Sequence, residues 1–250
     1  MNALRHRLTQ AASAAGRRAS GLYLLEGTRL VERALRAGGV VESCAAESYG
    51  GSEREAALLA SLDGASNEDV ARMPDAVFAE HASGRETGAV LALARIPETP
   101  DLSAAWTVLV AVDISDPGNA GALVRTTLAA GADAFVAVGK TDPFHPKAVR
   151  TSMGSICKLP VLRTPLDSFR EALAGWPLIG TVCAGGVPLP DCELGGGRLA
   201  VLVGSEPFGL PADVVDMLDQ RATIPMRAGV DSFSVNAAAA ICLYARLNHR

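Results

Sequence analysis

Three stretches in the second half of the chain hold residues whose types and spacing suit chemistry on a bound ligand. They are DPGNAGALVRT at 116–126, VLVGSEPFGL at 201–210 and IPMRAGVDSFSVNAAAAICLYA at 224–245. Asn119 and Arg125 stand six apart, spanning the end of a loop and the helix that follows. A guanidinium can hold an anion by paired hydrogen bonds, but as a strongly basic group it is a poor proton acceptor at neutral pH. Gly204 and Gly209 allow backbone conformations closed to other residues and let main-chain amides and carbonyls approach a ligand; a tight turn would need them equally. Glu206 lies between them, either as a helix-start residue or as an orienting carboxylate. Ser232 sits just ahead of an alanine-rich helix, where a hydroxyl commonly caps free amides.

The spacing excludes other chemistries. Neither DPGNAG nor GSEPFG supplies the G-x-G-x-x-G of dinucleotide binding, and no G-x-x-x-x-G-K-S/T phosphate loop occurs. The five cysteines contain no C-x-x-C, and the four histidines (His6, His81, His145 and His249) are scattered, so no metal site is expected. No apolar run approaches the roughly 18 residues of a membrane span, and the N-terminus lacks the apolar core of a secretory signal. A cytoplasmic protein is expected.

The elements that must position these residues alternate between strand and helix. Strands are expected at 22–25, 40–45 and 89–94, with a helix over 27–36, which describes a small α/β unit. IPETPDLSAA, with Pro97 and Pro100, reads as a linker, so the domains are taken as 1–99 and 100–250. Beyond it the apolar runs at 106–111, 134–138, 178–182 and 199–203 suit a parallel sheet covered on both faces, with helices at 120–130 and 237–247. Each chemical stretch begins where a strand ends, the usual place for the site of an open α/β sheet.

In order, spacing and wording, the three stretches resemble the signature motifs of the SpoU/TrmH class of SPOUT RNA 2'-O-ribose methyltransferases. A fourth, HPKAVRTSMGS at 145–155, resembles the family's Arg-x-Ser-x-Gly segment, and LYLLEGTRLVERALRAGGV at 22–40 its N-terminal substrate-binding domain. The resemblance implies an α/β fold: a C-terminal SPOUT-type parallel sheet with a trefoil knot, plus a small N-terminal ribosomal-protein-like α/β domain that grips RNA. It further implies S-adenosylmethionine as cofactor, a homodimer, and ribosomal RNA as substrate with transfer RNA the close rival. Asn119, Arg125, Glu206, Ser232 and Ser234 are the catalytic positions it implies. Val203, Gly204, Ser205, Glu206, Gly209, Ile224, Pro225, Met226, Ser232, Phe233 and Ala237 are the cofactor positions.

Net charge is -4, so RNA binding would rely on local patches. Arg5, Arg7, Arg17, Arg18, Arg29, Arg33 and Arg36 face only Glu26 and Glu32 nearby in sequence. This is a solvated helix face or a phosphate-binding patch. Arg5, Arg17, Arg18 and Arg29 are taken as RNA candidates, with Arg150 and Ser152 from the fourth stretch.

One departure stands out. The third motif commonly reads Ser-Leu-Asn-Val, and here Ser234 occupies the Asn position while Asn236 follows two residues later. If these positions begin a helix, two residues turn the side chain by roughly 200°, which would prevent a simple replacement. The departure motivates a second reading, a non-catalytic RNA-binding relative. A nucleotide-binding oxidoreductase is a third.

Overall fold

Two sheets organise the computed structural model, in which residues 1–65, 69–83, 88–206 and 208–248 are described. One unit comprises Met1–Pro97 with Phe144–Lys158, and the other Glu98–Pro143 with Leu159–Arg250.

In the first unit α1 (Asn2–Ala12) and α2 (Ala14–Ser20) precede β1 (Leu22–Glu26), α3 (Thr28–Arg36), β2 (Val40–Ala46), α4 (Glu53–Asp63), β3 (Ala71–Met73), α5 (Asp75–Ala79) and β4 (Val90–Arg95). The sheet order is β1-β4-β2-β3. β4 runs antiparallel to both β1 and β2, and β3 runs parallel to β2. Every residue of β1 and all but the last of β4 are buried, which accounts for their unbroken apolar reading. Local chemistry fixes the helix starts. The Ser13 side chain accepts the Gly16 amide ahead of α2, and Ser52 with Glu55 forms a reciprocal capping box ahead of α4.

The second unit opens with β5 (Thr107–Val112), α6 (Pro117–Ala129) and β6 (Ala134–Val138). The next helix, α7 (Pro146–Thr151), belongs to the first unit and packs on β1. The second unit continues with β7 (Val161–Thr164), α8 (Phe169–Ala172), β8 (Leu178–Thr181), β9 (Val187–Pro188), β10 (Leu199–Val203), α9 (Ala212–Asp216), β11 (Gln220–Thr223) and α10 (Val235–Leu247). Its seven strands lie in the order β7-β6-β5-β10-β8-β11-β9, and every neighbouring pair is parallel. β5, β6 and β10 are buried throughout, and Val110, Val136 and Leu202 help form a core closed by Phe169 and Trp176.

α10 is fastened at its far end by Arg246, which is 2% exposed. Its guanidinium donates to Thr107 Oγ1 at 3.2 Å and to the carbonyls of Leu194 and Gly197. Burial of this cation is tolerated because its donors meet fixed oxygens.

The expected division at residue 99 is corrected in one respect. Phe144–Lys158 groups with the first unit, where Arg150 donates to the buried carboxylate of Glu26 at 3.1 Å. A partner 124 positions away is invisible to a reading that looks for linkers.

Candidate active site

The carboxyl ends of β10, β8 and β11, three neighbouring strands, form the floor of a partly open cleft. Val203, Gly204, Ser205, Glu206 and Gly209 line it from the β10 side, Thr181, Val182 and Cys183 from β8, and Ile224 and Met226 from the segment after β11. Ser232, Phe233, Val235 and Ala238 complete the wall at the start of α10.

The loop after β10 is held shut by its own backbone. Ser205 and Gly209 exchange N–H···O bonds of 3.1 and 2.7 Å, and Gly209 adopts φ 68° to close the turn. A Cβ on Gly204 would lie 2.1 Å from the Gly209 carbonyl carbon. Glycine at 204 is therefore a steric requirement of the loop.

The start of α10 is tied to that loop and to α6. Glu206 Oε1 accepts the Val235 amide at 3.3 Å, so a carboxylate sits at a helix N-terminus, where it is stabilised by the free amides. Ser234, not Ser232, is the cap: its Oγ accepts the Ala237 amide at 3.3 Å. Asn236 Nδ2 donates to Asn119 Oδ1 at 3.2 Å. Asn119 is held in turn by Asp116, whose Oδ1 accepts the Asn119 amide at 2.9 Å and caps α6. Asn236 thus bonds to the first motif although it stands two residues beyond the expected Asn position. Ser234 is extended (φ -57°, ψ 150°) and stands outside the helix, so the helical rotation does not separate the two positions.

Asp113, at the carboxyl end of β5, holds φ 52° and accepts the Lys140 amide at 2.9 Å. A Cβ on Gly139 would lie 2.3 Å from Asp113 Oδ1, so the turn after β6 is shaped to fit this carboxylate. It stiffens the backbone just ahead of the first motif.

Most residues expected at the cofactor site line the cleft. Pro225 is exposed and is not part of the wall, and Ala237 supplies a backbone amide to the cap while Ala238 faces the cleft. Arg125 projects from α6 into solvent, and its side chain makes no hydrogen bond or ion pair among the described residues. Pro207 and His249 lie outside the described residues. Thr181, Val182 and Cys183 were missed by the motif reading; their signal was the end of an apolar run expected at 178–182.

Comparison with known proteins decides the family. The profile of the SpoU rRNA Methylase family matches residues 107–244, from the first residue of β5 into α10. The chain belongs to this family. Among SpoU relatives it is 30% identical over 228 residues to the 23S rRNA (guanosine(2553)-2'-O)-methyltransferase RlmP of Bacillus subtilis, covering 89% of this chain and 87% of that protein. A crystal structure of an RNA 2'-O ribose methyltransferase superposes with a TM-score of 0.79 at 29% identity, covering 100% of this chain and 96% of the other. The SpoU methyltransferase AviRb from Streptomyces viridochromogenes, in complex with AdoMet, superposes with a TM-score of 0.83 at 25% identity, covering 99% and 98%.

The basic residues of the first unit fare unevenly as RNA ligands for a SpoU protein. Arg17 is 2% exposed and donates to the carbonyls of Ala11 and Ala12, both at 3.0 Å, so it ties α2 to the end of α1. Ser152 is fully buried and donates to the Val149 carbonyl at 2.7 Å. Both are withdrawn as phosphate contacts. Arg150 is engaged by Glu26, Arg5 pairs with Glu80 at 2.7 Å, and Arg7 makes a two-pronged pair with Glu42. Arg18 and Arg29 remain exposed. Among the described residues no group of three metal-ligating side chains occurs, and no helix is long and apolar enough to cross a membrane.

Proposed function

We propose that this protein transfers a methyl group from S-adenosylmethionine to a ribose 2'-hydroxyl of ribosomal RNA. The observation that carries this reading is the cleft at the ends of β10, β8 and β11, lined by residues of the second and third motif stretches within the part of the chain that matches the family. Its similarity to an rRNA 2'-O-methyltransferase over most of both chains supports the substrate class.

The chemistry of the cleft suits the cofactor: its wall is mostly apolar or short-chained, with Glu206 the single carboxylate among the described lining residues. The missing side chain at Gly204 leaves backbone exposed where a Cβ could not stand. Val203, Gly204, Ser205, Gly209, Ile224 and Met226 would hold the adenosine half, and Ser232 and Phe233 would close over it. When bound, S-adenosylmethionine supplies an electrophilic methyl group on a sulfonium.

The remaining roles fall to this chain's own side chains. Arg125 holds a phosphate beside the target ribose and stabilises charge developing on the attacking oxygen. Asn119 contacts the RNA from the start of α6. Glu206 orients the site by fixing the first amide of α10. The unit of Met1–Pro97 and Phe144–Lys158 would grip RNA through Arg18 and Arg29. By family resemblance the catalytic unit carries a trefoil knot, acts in the cytoplasm and works as a homodimer. Tyr244 of α10, 69% exposed, is an apolar surface that a second copy would cover.

The deciding experiment incubates the protein with methyl-labelled S-adenosylmethionine and purified ribosomal or transfer RNA, then locates ribose-methylated nucleotides by nuclease digestion. Label in ribosomal RNA is the expected result. Label in transfer RNA alone would move the substrate, and cofactor binding without transfer to any RNA would favour the non-catalytic reading.

Cofactor placement has its own check. Burial pushes the thiols of Cys44 and Cys242 up to about 12, so neither reacts readily at neutral pH. Cys183 is exposed and lines the cleft. Its alkylation is expected to be the fastest, to vanish in Cys183→Ser, and to slow about tenfold or more when cofactor exceeds ten times its dissociation constant. Unchanged alkylation under saturating cofactor would put the cofactor elsewhere.

A further inference from the structure

We propose that Asn236 is a positioning residue for methyl transfer, acting through Asn119; this rests on the reaction proposed above. Three observations lead there. Ser234, at the position where the family pattern has Asn, is consumed as the helix cap and cannot also reach across to α6. One step inside the helix, Asn236 Nδ2 donates to Asn119 Oδ1 at 3.2 Å. Finally, Asn236 Oδ1 is buried without a hydrogen-bond partner among the described residues. A polar amide with one arm left unsatisfied has no helix-forming advantage at this position, where alanine would serve better.

The pair has a defined sense. An Asn carboxamide carries one acceptor and two donors. With its oxygen engaged by Asn236, Asn119 turns its NH2 group away from the pair and offers donors alone. A donor is what an attacking ribose oxygen needs as it gains negative charge, whereas an outward carbonyl would repel it. Turning the Asn119 carboxamide over would forfeit the hydrogen bond in which Asn236 holds its oxygen. The amide of the third motif is therefore present in this chain, moved by two residues, and it acts on the first motif.

The test compares Asn236→Asp, Asn236→Ala and Asn119→Ala, alone and combined, in the full chain. Aspartate is nearly isosteric but only accepts, so it would turn Asn119 to present its oxygen. Asn236→Asp and Asn236→Ala are expected to lower kcat on ribosomal RNA by about tenfold to a hundredfold, with KM for RNA and cofactor affinity within about twofold. Added to Asn119→Ala, Asn236→Ala is expected to change kcat no further, since its effect runs through that side chain. A kcat unaltered by Asn236→Asp, or an equal loss in the Asn119→Ala background, would overturn the proposal. The side-chain NH2 resonances of Asn119 give a readout independent of turnover and should shift in Asn236→Ala; unmoved signals also overturn it. If the wild-type protein methylates no RNA, the reaction and the role within it both fall, and the resonances still report whether the pair exists.

Discussion

Arg125→Ala is expected to slow methyl transfer about a thousandfold while leaving cofactor affinity within about twofold. The asymmetry follows from where the side chain lies. Arg125 is exposed on α6, its side chain bonds to nothing among the described residues, and it is not part of the cleft wall. Its removal neither opens a cavity nor strands a buried partner, so the thermal midpoint should stay within about a degree. What is lost is a forked guanidinium that acts only when RNA is present. Arg125→Lys retains charge without the fork and should recover only part of the rate. Single-turnover transfer and calorimetric cofactor binding separate the two effects. Equal loss of rate and cofactor affinity would assign Arg125 to the cofactor instead, and an unchanged rate would remove it from the site.

Gly204→Ala is expected to act in the opposite way, through the cofactor. The new methyl would lie 2.1 to 2.3 Å from the carbonyl group of Gly209 and the amide of Leu210, which are backbone atoms with no rotamer to yield. The loop must move, yet Ser205 and Gly209 lock it by two mutual hydrogen bonds. Overpacking of this kind costs about 1–3 kcal/mol, so cofactor affinity should fall by about fivefold to 150-fold. Gly197→Ala is the control, because a Cβ there meets nothing within 4 Å. Cofactor titrations on both variants decide it: equal affinities would mean that the loop is not part of the binding surface.

Legibility in the sequence tracked how local each cause is. β5, β6 and β10 could be read because each is an unbroken apolar run buried on both faces. The motif loops could be placed because they start where such runs end. What escaped was set by partners far away along the chain. Arg17 looks like one more surface cation until the carbonyls at the end of α1 claim it. Arg5 and Arg7 look unopposed because Glu80 and Glu42 stand 75 and 35 positions away. Phe144–Lys158 reads as part of the catalytic half, although its arginine pairs with Glu26. The cap is Ser234 and not Ser232 because α10 begins at Val235, directly after Ser234, with Val235 and Asn236 in its first turn; the alanine run alone marks only where the helix continues.

α10 is bonded near both ends to parts of the chain distant in sequence. At its start Val235 and Asn236 reach Glu206 and Asn119; near its finish Arg246 reaches Thr107, Leu194 and Gly197. Each residue added or deleted between these anchors would turn one end against the other by about 100° and change the span by about 1.5 Å. No rotamer can absorb such a twist at both anchors. The count of residues between Asn236 and Arg246 is therefore a gauge: side chains there can be exchanged one for another, but an insertion or deletion leaves either the reacting end or the buried arginine out of phase.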